Sequence, residues 1–491
     1  MKHDVVIIGS GLGGLLCAAV LARQGMSVLV LERQAQPGGC MQSYTRGKYA
    51  FDTGLHYVGG LAEGQRLNII FSYVGLMDLP WQRLDADGFD RITMGGQTYA
   101  FAEGYQHFVD TLAEDFPTER EALRQYVEML RVNEEVAFGS DEAFRFFGMN
   151  AYQYLSDLFK RKELVNILAG SAIKMELRKE SLPLFMFAHG NSAFIQSSWR
   201  LRGPGNMLVQ RLLQRIQADG GQVVCGAEVE ELLADPDVSQ KRIVAARCSN
   251  GEVYEGKTFI SDVHPALTFQ MVNAPHLLKK VFRRRMDMME NTGGMLTVSM
   301  VVKPHTLRYF NHNKFVYRNT DIWNTDGKGG AEDMVDRVMI CCRPPVTGDY
   351  TEQVDLLTPM TWDCCRKWEQ TTVAHRGEDY LAMKEAKAQE CIALAETVIP
   401  RLGDMVVAKY ISTPLTYRDY NHTPEGSAYG VRKDCRNLYM TMLPPQSPIE
   451  NLLLTGQNLM LHGVEGVTMT ALLTCSSLLG KEPIQQIMTA P

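Results

Sequence analysis

Hydrophobic positions in the first part of the chain fall into short continuous runs. Asp4 to Ile8 (DVVII) and Ser27 to Glu32 (SVLVLE) are almost wholly apolar, the pattern of strands buried on both faces of a parallel sheet. Between them Leu12 to Gln24 reads as a small-residue helix, so the opening predicts a β-α-β unit with a right-handed crossover. Further on, the patterning predicts a helix over Met207 to Ala218 and a strand over Gln222 to Cys225. A hairpin over Ile243 to Phe259 turns at Asn250-Gly251. Near the end, Asn451 to Thr455 reads as one more buried strand, followed by a helix from about Val467 to Leu479.

Two stretches between these islands differ in character. Gln65 to His189 is rich in aromatics and helical patterns, and Met271 to Tyr429 mixes strand-like runs with methionines and tyrosines. The expected fold class is α/β, a Rossmann-like domain interrupted by a mixed α+β domain. The first is expected from residues 1–64, 195–270 and 435–491, and the second, a substrate-binding cap, from 65–194 and 271–434. A chain of 491 residues is long enough for two cores.

Composition narrows the function. The chain is 45% hydrophobic and 22% charged with a net charge of -6, which argues against a nucleic-acid partner. Its 11 cysteines follow no CxxC pattern and include the adjacent pairs Cys341-Cys342 and Cys364-Cys365, so neither a disulfide framework nor a metal site is expected. A reducing cytoplasm fits that usage, and the first residues have no secretory-leader pattern. No apolar run reaches the roughly 18 residues of a spanning helix. Leu277 to Met289 (LLKKVFRRRMDMM) joins basic and apolar residues, and raises contact with a membrane surface against an ordinary amphipathic helix. Oligomeric state is not legible.

The chemistry concentrates at the glycines. Gly9, Gly11 and Gly14 satisfy G-x-G-x-x-G between a strand and a helix that opens at Leu12. The first permits the tight turn, the second lets a pyrophosphate approach the backbone, and the third lets the helix pack on the sheet. Glu32 ends the second strand 21 residues after Gly11, where a carboxylate can accept ribose hydroxyls. Arg33 and then Gly38-Gly39 extend the motif with a second close approach for phosphate.

Asp4 to Gly39, followed by Phe51-Asp52-Thr53-Gly54-Leu55-His56-Tyr57, resembles the phytoene-desaturase-like flavoproteins, most of all the branch of carotenoid isomerase and retinol saturase. The resemblance implies a glutathione-reductase-like FAD/NAD(P)-binding fold, shared distantly with amine oxidases, and non-covalent FAD. Leu453 to Asn458 and His462 to Thr470 resemble the family's closing segment, which implies flavin contacts at Gly456, Gln457, Gly466, Val467 and Thr468. Many relatives carry aspartate where this chain has Gln457. Gly203 to Met207, Gly226 to Val229, Thr413 to Thr416 and Gly426 to Gly430 also match in kind. They imply that Val229 borders the adenine and that the Tyr429 segment approaches the flavin face.

The expected activity is hydride transfer to or from a C=C bond of a hydrophobic conjugated substrate, of the carotenoid, retinoid or isoprenoid class, by saturation, desaturation or isomerisation. His56, Glu465 and Tyr429 are the candidate proton donors. Each has an ordinary alternative: a strand-end histidine, a solvent-facing loop glutamate, an apolar wall. His462 is read as at or behind the flavin edge, Cys40 as a small packing residue, and the aromatics Phe144 to Phe159 as a polyene roof or plain core. No second glycine fingerprint is present, which leaves NAD(P)H open only as an external reductant. Two rivals stand: an amine-oxidase-like flavoprotein oxidase, and a non-enzymatic isoprenoid-binding escort.

Overall fold

The structure, a computed structural model, describes residues 2–237, 239–323 and 333–489. The expected β-α-β unit forms as β1 (His3–Ile8), α1 (Leu12–Arg23) and β2 (Val28–Glu32). Then come α2 (Asn206–Ala218), β3 (Gln222–Cys225), β4 (Val229–Ala234), β5 (Ile243–Cys248) and β6 (Val253–Ser261), and finally β7 (Leu452–Leu454) and α3 (Gly463–Leu479). The parallel strands run β3-β2-β1-β6-β7, and β5 and β4 continue from β6 as an antiparallel extension. Continuous hydrophobicity of β1 is explained by its two buried faces. Val5 and Ile7 join one core with α1, α2 and α3, while Val6 and Ile8 join the other.

A second seven-stranded sheet draws its strands from the two intervening stretches. Its order is Val406–Ser412, Gly294–Val302, Gln353–Met360, Arg337–Cys342, Asn313–Tyr317, Asp90–Met94 and Gln97–Phe101. Strand periodicity decides which residues face the dinucleotide domain. Leu296, Val298 and Met300 pack with helix Glu378–Ala395, so the alternate residue Met295 turns the other way, as do Met339 and Leu357 on neighbouring strands. That reversed face becomes a wall of the site.

One sequence expectation changes and two readings left open are narrowed. The last helix starts at Gly463, a turn before the expected Val467, because packing of Gly466, Val467 and Thr468 into the core outweighs the low helix propensity of glycine and valine. The aromatic run is core rather than roof: Phe146, Phe147 and Phe159 are buried in the core that Val6 and Ile8 join, and only Phe144 is exposed, at 45%. Within Leu277 to Met289 only Lys280–Asp287 is α-helical; Val281 (75%) and Met288 (58%) are exposed while Leu277, Leu278 and Met286 are buried. Among the described residues no helix is long and apolar enough to cross a membrane.

Candidate active site

The carboxyl ends of β1, β2 and β6 converge, and a cavity of about 630 Å³ opens there, where ligands of open α/β sheets bind. Its wall contains Gly9, Gly11, Leu12, Glu32, Arg33, Gly39 and Val229 from the first half of the chain. Gln457, Gly463 and Val467 from the last segment line the same cavity, as do His56 and Tyr429. The two glycine-rich ends of the sequence therefore border one space, of a size usual for ligand sites.

The cradle is held from below. Gly9 has φ +94°, a conformation natural to glycine, and a Cβ on Gly14 would lie 2.2 Å from Gly9 O, so the third glycine serves helix packing as its spacing suggests. Ser10, a residue the motif leaves unspecified, joins the two glycine turns. Its backbone N–H and hydroxyl donate to Glu32 Oε2 at 3.0 and 2.5 Å, and its Oγ accepts from Gly38 N–H at 3.1 Å. Gln34 N–H donates to the other Glu32 oxygen at 2.8 Å. Glu32 is thus held in place by contacts from within the protein.

Asp262, just past β6, went unnoticed in the sequence. A Cβ on Gly11, Gly13 or Gly456 would meet its carboxyl oxygens at 2.4, 2.7 and 2.1 Å. Burial pushes this carboxyl up to about 7, the Gly14 N–H opposing and Glu32 reinforcing the shift. An acidic residue at the carboxyl end of a central parallel strand was the signal that could have found it.

Gly14, Gly38, Gly456 and Thr468 do not line the cavity. A Cβ on Gly38 would meet Val209 Cγ2 at 2.6 Å, and Thr468 Oγ1 donates to Val464 O at 2.7 Å inside α3. Their placement is structural support for the wall. Gly466 borders an adjoining chamber instead, packed so tightly that a Cβ would lie 2.4 Å from Leu461 Cβ.

That chamber, about 200 Å³, shares Met41, His56, Met295, Leu357, Tyr429 and Gly463 with the main cavity. Five methionines line it, Met175, Met186 and Met339 adding to those two. Glu465 enters from the first turn of α3, where the helix dipole favours its charged form. Burial outweighs that pull and pushes its carboxyl up to about 7, with Arg66 opposing and Glu134 adding to the rise.

His56 is enclosed, its Nδ1 3.6 Å from Cys341 Sγ and its Nε2 without a hydrogen-bond partner; burial lowers its pKa and keeps it neutral. It shares this corner with Asp355, close enough for the three groups to offer ligand atoms within 4.8 Å of one another. Burial pushes the Cys341 thiol far up, which disfavours the thiolate that a metal needs. Tyr429 Oη donates to Ile173 O at 2.7 Å and its ring lies 4.6 Å from that of His462, so its proton is engaged and it forms wall. His462, capping α3, shares a 3.0 Å hydrogen bond between Nε2 and Lys174 O and is held down to about 4 by burial. Cys40 lines the cavity as a neutral thiol, pushed up to about 11 by burial.

Comparison with known proteins agrees with this architecture. Residues 7–74 match the family model of an NAD(P)-binding Rossmann-like domain. All-trans-retinol 13,14-reductase of Rattus norvegicus is 26% identical, over 97% of this chain and 86% of the relative. Prolycopene isomerase 1, chloroplastic, of an Oncidium hybrid cultivar is 23% identical, over 87% and 75% respectively. A solved putrescine oxidase bound to putrescine superposes with a TM-score of 0.66 over 98% of this chain and 99% of that one; at 15% identity the likeness is one of fold. Similarity to a retinol reductase and to a prolycopene isomerase, on a dinucleotide-binding scaffold, supports the resemblance of this chain to oxidoreductases of the phytoene-desaturase-like family, near the carotenoid isomerase and retinol saturase branch.

Proposed function

We propose that the protein is an FAD-dependent oxidoreductase acting on a C=C bond of a hydrophobic conjugated molecule of the retinoid or carotenoid class. The observation that carries this reading is the junction of a dinucleotide cavity with a methionine-lined chamber holding one acid, Glu465. The relatives are named for retinol reduction and prolycopene isomerisation, and a chamber of this lining suits such substrates.

The donor set fits FAD. The N–H groups of Gly11 and Leu12, where α1 opens, backed by the α1 dipole, would receive the pyrophosphate. Glu32, held open to the cavity by Ser10, receives the ribose, and Val229 borders the adenine. Non-covalent FAD in this cavity supplies a hydride carrier at its ring. Around that chemistry, Glu465 holds a proton at its carboxyl near neutrality and delivers it to the carbon beside the one that takes hydride. His56 stays neutral and shapes the wall, and Tyr429 with Met295 and Leu357 excludes water. Electrons enter from outside the chain, with NAD(P)H one reductant to test.

Chemically reduced holoprotein incubated anaerobically with retinoids, carotenoids and other conjugated enones tests the reading. A product heavier by two hydrogens assigns saturation, and a product of unchanged mass but altered geometry assigns isomerisation. No change in any of them, with amines oxidised and peroxide released instead, refutes it in favour of the oxidase.

A further inference from the structure

The chamber contains a cation with no anion in contact. Lys174 ends the short turn Ala172–Lys174, and its Nζ lies 3.9 Å from the ring centroid of Phe194 and 5.7 Å from that of Tyr57. Enclosure draws the ammonium down to about 8, with Asp90 acting in the opposite direction from a distance. The Asp90 carboxylate is already engaged, accepting from Tyr57 Oη at 2.9 Å and Asn313 Nδ2 at 2.8 Å. Among the described residues, no carboxylate forms an ion pair with Lys174.

Two more nitrogen atoms at the chamber wall are unmet. His56 Nε2 and His189 Nδ1 are buried without a partner. A hydrocarbon end needs none of these groups. Buried polar atoms are ordinarily satisfied, and a buried charge ordinarily faces its opposite. Ring faces offset only part of that cost.

We propose that Lys174 is the receptor for a carboxylate at the terminus of the substrate, so that the preferred substrate is a conjugated polyene acid bound head-first. This rests on the polyene reading above and narrows it. A hydroxyl or aldehyde leaves the ammonium without its counter-charge, whereas a carboxylate completes the pair in a water-poor space. At about 200 Å³ the chamber takes a head group and the first conjugated carbons, not a whole chain. Met175, Met186 and Met295 then flank the bonds nearest the head. That arrangement brings the end of the conjugated system to Glu465.

Binding of all-trans retinoic acid, retinal and retinol to the oxidised holoprotein separates head groups on one shared chain, with no turnover required. Expected is at least tenfold tighter binding of the acid than of the alcohol, lost in Lys174→Met and kept in Lys174→Arg, with flavin content reporting that each variant folds. Should Lys174→Met fail to retain flavin, the acid preference of the wild type and its survival in Lys174→Arg decide. Equal binding of acid and alcohol by the wild type overturns the proposal. So does an unchanged acid preference in Lys174→Met, whether alone or with a shifted flavin potential that would reassign the ammonium to the cofactor. Borohydride capture of retinal on Lys174, with no acid preference, likewise overturns it in favour of an imine. Selective acid binding without turnover of any polyene retains the Lys174 assignment and rejects the catalytic reading; turnover without head-group preference does the reverse.

Discussion

The Ser10 hydroxyl donates to the Glu32 carboxylate at 2.5 Å while accepting from the Gly38 N–H, so one small side chain couples the end of β2 to both glycine turns. Ser10→Ala keeps the backbone bond to Glu32 but strands the Gly38 donor. A lost hydrogen bond to a charged group is worth about 1.5 kcal/mol, which corresponds to roughly tenfold weaker FAD binding. Fluorescence titration of apoprotein with FAD measures it; unchanged affinity would show that the coupling is idle.

Gly14 is required by contact, not by backbone angle. The 2.2 Å approach of an added Cβ to Gly9 O cannot be relieved by rotating a side chain. Gly14→Ala should therefore cost about 1–3 kcal/mol of stability, with loss of bound flavin. Chemical denaturation midpoints read the effect, and a variant as stable and as yellow as the parent contradicts the packing described.

Asp262 makes cofactor affinity depend on pH. Its carboxyl is neutral below about 7 and anionic above, beside the turn expected to hold phosphate. FAD affinity should fall as pH rises through 7, by up to about tenfold per unit, and Asp262→Asn should flatten the profile. The stability sign is the same. Because the folded value is raised, the stabilisation is complete below the ordinary carboxylate value of 3.8 and is lost as pH climbs towards about 7. Dissociation constants between pH 6 and 8.5 provide the check.

Glu465 is expected to act in its protonated form. The chemical step with polyene should slow as pH rises above about 7. Glu465→Gln, which keeps shape and removes the acid, should lower that step by about 10²–10⁴-fold while retaining FAD. Stopped-flow measurement of flavin reoxidation separates this from a folding defect. A variant with full rate moves the proton donor elsewhere, His56 first.

How much of this was legible in the sequence depended on distance along the chain. The β1-turn-α1-β2 unit is local, and each glycine in it announces a conformational or packing need, so Gly9, Gly11, Gly14 and Glu32 could be read directly. His56 stood out because it follows the Asp52-Thr53-Gly54 turn, and Glu465 because it sits beside the start of the closing helix. Ser10 hid in an unspecified motif position. Asp262 reaches the turn only because β6 pairs with β1, and Lys174 reaches the chamber only through the packing of its short turn against the elements carrying Phe194 and Tyr57. Such juxtapositions belong to topology, which no local pattern encodes. Likewise Met295, Met339 and Leu357 share a wall because strand alternation turns them away from the Leu296 face.

The central claim is that the opening turn and the start of α3 border the seat of a single FAD. Titration of apoprotein with FAD, followed by flavin absorbance and fluorescence, addresses it most directly. The account predicts one FAD per chain, quenched on binding and reducible in place. A colourless protein that takes up no FAD, or that binds NAD(P)H with the same stoichiometry in its stead, contradicts it.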